Sequence, residues 1–135
     1  FLDCGLVCSS LGLMLTQLQL AEDIVLVNHG ALCGQFVGQH LLYQQPAYMQ
    51  PDLFYWNREK RSSAAEVDYL APREGTVLPI EVKASARPRL SDAKHLLTFR
   101  TEYGRKARAG LLLHTGNTLQ WIAPDVLAAP WWYVL

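Results

Sequence analysis

The chain has 135 residues, half of them hydrophobic, with 12 basic and 12 acidic side chains and a pI of about 7.1. That size and composition suit one compact α/β domain and exclude both a disordered chain and a pair of independent cores. Apolar stretches are interrupted before they reach the roughly twenty residues of a membrane span, and Phe1-Leu2-Asp3-Cys4 lacks the basic start of a secretory leader, so no membrane association and a cytoplasmic setting are expected.

In chain order, Asp3 is placed to cap a helix through Leu6, Val7 and Leu11, and one or two further helical turns are expected over Leu13 to Leu20. Residues 1–28 read as a helical preamble to a core over 29–135, the whole forming a single domain. The opening without Met, inside an apolar segment, is expected of a piece of a larger protein. Cys4, Cys8 and Cys33 read as buried thiols rather than as a zinc set with His29, since no Cys-x-x-Cys knuckle is present. Leu32, Phe36, Val37 and Leu41 recur at helical spacing and predict a helix from about Ala31 to Gln44, stopped by Pro46, with Gln35, Gln39 and His40 on its other face.

Leu53-Phe54-Tyr55-Trp56 and Glu66-Val67-Asp68-Tyr69-Leu70 read as two strands of a hairpin, joined by a charged turn over Asn57 to Ser63. The turn Arg73-Glu74-Gly75-Thr76 leads into a central strand from Val77 to Lys83. After Pro88, a helix carrying Leu96, Phe99 and Tyr103 is expected, with Ser91 or Asp92 as its cap and Gly104 closing it. A buried strand follows over Ala109 to His114, and a turn leads into Thr118 to Ile122. The helix between two strands of one sheet predicts a βαβ crossover with parallel pairing. Pro130 to Leu135 reads as a packed cap or as a contact with another segment.

Chemistry concentrates at Asp68, Glu81 and Lys83. Strand alternation puts Glu81 and Lys83 on one face and Ile80 and Val82 on the other. Two carboxylates such as Asp68 and Glu81 can hold Mg²⁺ through oxygen ligands, while a lysine beside them orients the attacking water and offsets phosphate charge. The alternative is an ion pair on a half-exposed strand. The zero net charge also hides an asymmetry: residues 1–57 contain no Lys or Arg, whereas residues 83–108 contain eight basic residues against Asp92 and Glu102. Ser85, Arg87, Arg89 and Lys94 are thereby candidates for nucleic-acid phosphate contact, against the alternative of an ordinary solvated helix face.

Asp68 on a hairpin strand, followed by Glu81-Val82-Lys83 on the next, resembles the PD-(D/E)xK superfamily, the restriction-endonuclease-like fold. More specifically, several stretches are similar to a C-terminal family of AAA-type ATPases, the domain of unknown function 4143. These are Phe1-Leu2-Asp3-Cys4-Gly5-Leu6, Gly30-Ala31-Leu32 with Phe36-Val37, Phe54-Tyr55-Trp56, Glu66-Val67-Asp68, Pro79-Ile80-Glu81-Val82-Lys83, and Lys94-His95-Leu96 with Tyr103-Gly104. The resemblance implies a three-layer α/β fold, with a strand meander followed by a βαβ unit, and puts Asp68 and Glu81 at metal positions and Lys83 at the water-activating position. It also implies an N-terminal ATPase module as a partner in the full protein. ATP would belong to that module alone, since no Gly-rich phosphate loop of the G-x-x-x-x-G-K-[ST] type occurs here.

One departure bears on catalysis. The family's helix reads Gly-x-Leu-x-Glu-x-Phe-Val, and Gly34 stands here in place of that glutamate. Glu66, on the same strand face as Asp68, and Gln35, Gln39 or His40 on the helix are candidate substitutes. Tyr55, Trp56, Trp121, Trp131 and Trp132 are either base-stacking or core residues, His114 reads as structural and His95 as solvent-facing. Two function classes follow: a nucleic-acid-binding, Mg²⁺-dependent nuclease domain with a degenerate site, or an inactive nuclease-fold domain serving protein interaction or homo-oligomerisation.

Overall fold

The computed structural model describes residues 3–10, 12, 29–46, 48–59 and 64–134. Leu11, the turns expected over Leu13 to Leu20 and most of the charged hairpin turn lie outside the described residues. Helix α1 (Cys4–Ser10) begins as expected, with Asp3 Oδ1 accepting the Leu6 N–H at 2.8 Å. Helix α2 (His29–Tyr43) starts two residues earlier than its apolar spacing predicts. None of the described helices is long and apolar enough to cross a membrane.

Among the described residues, six strands form one mixed sheet: β1 (Phe54–Arg58), β2 (Ala65–Arg73), β3 (Thr76–Lys83), β4 (Gly110–His114), β5 (Gln120–Ala123) and β6 (Val126–Pro130), in the order β1-β2-β3-β4-β6-β5. The first three make the expected antiparallel meander. Its β2–β3 turn is closed by Glu74 and Gly75, both at positive φ. β3 and β4 pair in parallel, with Glu81 opposite Leu112, and helix α3 (Lys94–Tyr103) forms the crossover between them. The cap of α3 differs from expectation. Asp92 Oδ2 instead accepts the Arg89 N–H at 2.7 Å, holding a 3₁₀ turn over Leu90–Ala93, and the α-helix starts only at Lys94. Gly104, at φ 54, ends the helix as predicted.

β6 was not expected. It turns back from β5 through Pro124 and Asp125, and Asp125 supplies the left-handed conformation (φ 63) that a glycine would otherwise mark in the sequence. β6 lies between β4 and β5, parallel to the former and antiparallel to the latter.

The two faces of the sheet bury different cores, which makes the architecture three-layered. On one side Leu96 and Phe99 of α3 pack against Trp56, Val67, Leu112 and Val126. On the other, Val37 of α2, with Cys33 and Leu41, covers Ile80, Val82, Leu113 and Ala129. Trp131, in a 3₁₀ turn over Trp131–Val134, packs edge-on against Phe36 at 5.1 Å between ring centroids, which fits the packed-cap reading of the tail.

β2 carries the irregularity that shapes the site. Its partners on β1 shift by one between Trp56↔Val67 and Phe54↔Leu70, so β2 holds one extra residue between Val67 and Leu70. Val67 and Leu70 both belong to the α3-side core, and the intervening Asp68 and Tyr69 turn together to the other side, as a β-bulge permits.

Candidate functional site

The bulge, the end of β3 and the first turns of α2 enclose a cleft of about 490 Å³, lined by Glu66, Asp68, Glu81, Lys83, Gly34 and Gln35 among others. Asp68, Glu81 and Lys83 therefore come together as the sequence led one to expect. The β2–β3 register runs from Arg73↔Thr76 to Tyr69↔Ile80, and two residues further along β3 the Val82 N–H is taken by Asp68 Oδ2 at 2.7 Å. A carboxylate thus caps the parting strands.

Glu81 is 2% exposed despite its charge-bearing group. Lys83 Nζ donates to its Oε1 at 2.7 Å, and His95 Nδ1 lies 4.0 Å from the same oxygen. Oε2 is buried without a hydrogen-bond partner. Burial and then the nearby Asp68 carboxylate push the Glu81 carboxyl up from 4.5 to about 7, with Lys83 pulling the other way. Asp68 is also raised, by burial first, with the Val82 N–H and Lys83 opposing. Burial lowers Lys83, but its hydrogen bond and ion pair with Glu81, and the charge of Asp68, outweigh it and the ammonium is held above its ordinary value. The orphaned Oε2 beside a second carboxylate is what a hard cation would complete.

The remaining sequence candidates divide. Glu66 is exposed and lines the cleft, yet among the described residues no group of three or more His, Cys, Asp or Glu is positioned to hold a metal ion. Asp68 and Glu81 are the carboxylates that could hold a hard cation here, with water or phosphate oxygens completing its shell. Gln35 faces the cleft. Gln39 does not line it: its amide accepts from Cys4 Sγ at 3.2 Å and donates to the Tyr43 hydroxyl at 3.1 Å, which removes it as a substitute ligand. His40 packs at a tilt against Phe36, 4.4 Å between ring centroids, and is likewise not among the lining residues.

Ser85, Arg87 and Arg89 line an adjoining groove of about 400 Å³ that shares Lys83 with the cleft. Ser85 Oγ is engaged in its own turn, accepting the Arg87 N–H at 3.2 Å. Lys94 is exposed at the start of α3 and is not among the residues lining either space. Farther along the basic segment, Arg100 pairs with Asp125 at 3.1 Å and Arg108 with Glu74 at 3.2 Å. Trp56 is core, edge-on to Phe99 with its Nε1–H donated to the Tyr103 hydroxyl at 3.1 Å, whereas Tyr55 and Trp121 are exposed.

His114 is structural, as expected. Nδ1 accepts the Gly116 N–H at 3.0 Å and Nε2 lies 2.9 Å from the Thr118 carbonyl, which assigns the proton to Nε2. His95 is only partly solvent-facing: its side chain is about a third exposed, while Nδ1 lies near Glu81 because α3 lies over the face from which Glu81 projects. Tyr69 was missed. Its hydroxyl donates to the Gly34 carbonyl at 2.8 Å and its ring packs onto Gly38. The signal was Gly38 alone, where any Cβ on α2 would run into the Tyr69 side chain.

The family model described as Domain of unknown function (DUF4143) matches residues 29–134. The chain belongs to this family. The DUF4143 span starts with α2 and ends in the 3₁₀ turn after β6, so every residue of the cleft falls inside it and α1 falls outside. Comparison with curated proteins and with solved structures gave no match.

Proposed function

We propose that this DUF4143 chain is a nucleic-acid-binding domain of the restriction-endonuclease-like, PD-(D/E)xK type, whose cleft supports Mg²⁺-dependent phosphodiester hydrolysis. The observation that carries the proposal is Glu81 Oε2, a buried carboxylate oxygen without a protein partner, set beside Asp68 and Lys83. Asp68 and Glu81 would hold the cation, which when bound polarises phosphate and lowers the pKa of a bound water. Lys83 keeps its charge next to Glu81 and orients water or offsets phosphate charge. Arg87 and Arg89 in the adjoining groove receive the flanking backbone. In the full protein the domain would follow a AAA-type ATPase module, and ATP would act there.

A second reading is favoured by two specific features: Lys83 already neutralises Glu81 within the fold, and Gly34 brings no carboxylate to the cleft. In that reading the cluster is structural and the domain serves protein interaction or self-association. Calorimetric titration with Mn²⁺ separates the two. Binding that is lost in Asp68→Asn and in Glu81→Gln, with both variants folded, supports the metal site; wild-type protein that takes up no Mn²⁺, alone or with a phosphodiester present, leaves the structural reading.

A further inference from the structure

β1 ends the sheet, so one row of its backbone N–H and C=O groups has no strand beside it among the described residues. The other edge, β5, is blunted: it has four residues, and Ile122 bulges it against β6 between Trp121 and Ala123. β1 has neither defence. It runs over five residues, the neighbouring bulge lying on β2, and Arg58 at its end is its one charged side chain.

Large apolar side chains gather at the start of this edge. Gln45 ties the end of α2 to the approach to β1, its Oε1 accepting the Asp52 N–H at 2.7 Å and its Nε2 donating to the Asp52 carbonyl at 3.3 Å. Tyr43, Tyr48, Met49, Phe54 and Tyr55 fall on this stretch and are each between 55% and 89% exposed. At about 200 Å² for a side chain of this size, they offer on the order of 700 Å² of surface. A stable contact between two proteins takes roughly 800 Å² from each partner, so the stretch and the bare strand edge together suffice.

Charge and symmetry select the occupant. Residues 1–57 contain no Lys or Arg, which removes a nucleic-acid backbone as a partner for this stretch. A second copy fits, because two β1 strands paired antiparallel about a two-fold axis consume both bare edges and leave neither for further growth. With Tyr55 on the axis, Phe54 stands opposite Trp56 of the second copy and the exposed Asp52 stands opposite its Arg58, an acid against a base.

We propose that two copies of this chain associate through β1, joining their six-stranded sheets edge to edge with Tyr55 at the two-fold. The contact makes no use of the carboxylate cleft and rests on neither reading of it.

Sedimentation equilibrium of the full chain in chelator, from about 1 to 100 µM, measures the contact, and a mass approaching twice 15.2 kDa is expected. Tyr55→Lys sets two ammonium groups against each other on the axis and should weaken association at least about tenfold. Trp121→Lys on the opposite edge leaves it unchanged, with both variants checked for wild-type melting. Mild oxidation of Tyr55→Cys gives a second readout: residue 55 meets its own counterpart, so a disulfide-linked dimer forms there, and neither wild type nor Trp121→Cys forms one. A monomeric mass throughout, assemblies beyond a dimer, association undiminished in Tyr55→Lys, or no preferential cross-link at position 55 each overturns the assignment. Since divalent cations are absent, none of these outcomes depends on whether the cleft hydrolyses phosphodiesters.

Discussion

Glu81 and Lys83, two positions apart on the same face of β3, meet at 2.7 Å, with the carboxylate almost wholly buried and the ammonium reaching the surface. Removing the cation leaves an uncompensated buried acid, a more damaging change than removing both groups. Lys83→Met is expected to lower stability by about 1–3 kcal/mol, discounted for the partial exposure of the lysine. Glu81→Gln in the same chain should restore part of the loss. Denaturant unfolding of the two single variants and the double variant measures the coupling; additive effects would show that the pair contributes nothing as a pair.

Acidity should stabilise the metal-free protein at this site. The Glu81 carboxyl rises from 4.5 to about 7 on folding, so across that window the native state holds a proton that the unfolded chain has released. The stability it contributes is full below pH 4.5 and is lost as pH rises toward 7. Asp68, also raised, adds to the same slope from its own lower starting value. Relative to Glu81→Gln, wild type should lose a few kcal/mol over this window, read from melting curves in chelator. Parallel curves for the two proteins would contradict the buried, coupled placement of Glu81.

Gly34 and Gly38, one turn apart on α2, should respond oppositely to substitution. A side chain at Gly34 meets open space above the cleft, so Gly34→Glu gains about 0.5–1 kcal/mol of helix stability and brings a third carboxylate toward Asp68 and Glu81. Tighter Mn²⁺ binding is the expected readout, with affinity equal to wild type counting against the placement. Gly38→Ala drives a methyl into the Tyr69 ring and should cost about 1–3 kcal/mol, with loss of the Tyr69 hydroxyl bond to Gly34. An unaffected melting temperature would mean that Tyr69 packs elsewhere.

Most of the scaffold around this site is written in local patterns. The β2–β3–α3–β4 order, the Asp3 cap and the Gly104 stop all follow from periodicity and turn chemistry, and the pairing of Glu81 with Lys83 follows from strand alternation alone. The bulge at Asp68 and Tyr69 left no such mark, because no glycine announces it and the extra residue is visible only against β1. β6 was hidden for a related reason: five residues, two of them alanine, show no alternation and acquire strand pairing only between β4 and β5. The approach of His95 to Glu81 depends on how α3 sits on the sheet, which helix spacing leaves open.

Cleavage of single-stranded and duplex DNA and RNA with Mg²⁺ or Mn²⁺, comparing wild type with folded Lys83→Ala and Glu81→Ala variants, tests the central claim most directly. Metal-dependent hydrolysis by wild type, lost in both variants and in chelator, is the predicted result. Wild-type protein that cleaves none of these substrates with either cation, or cleavage undiminished in the two variants, would contradict it.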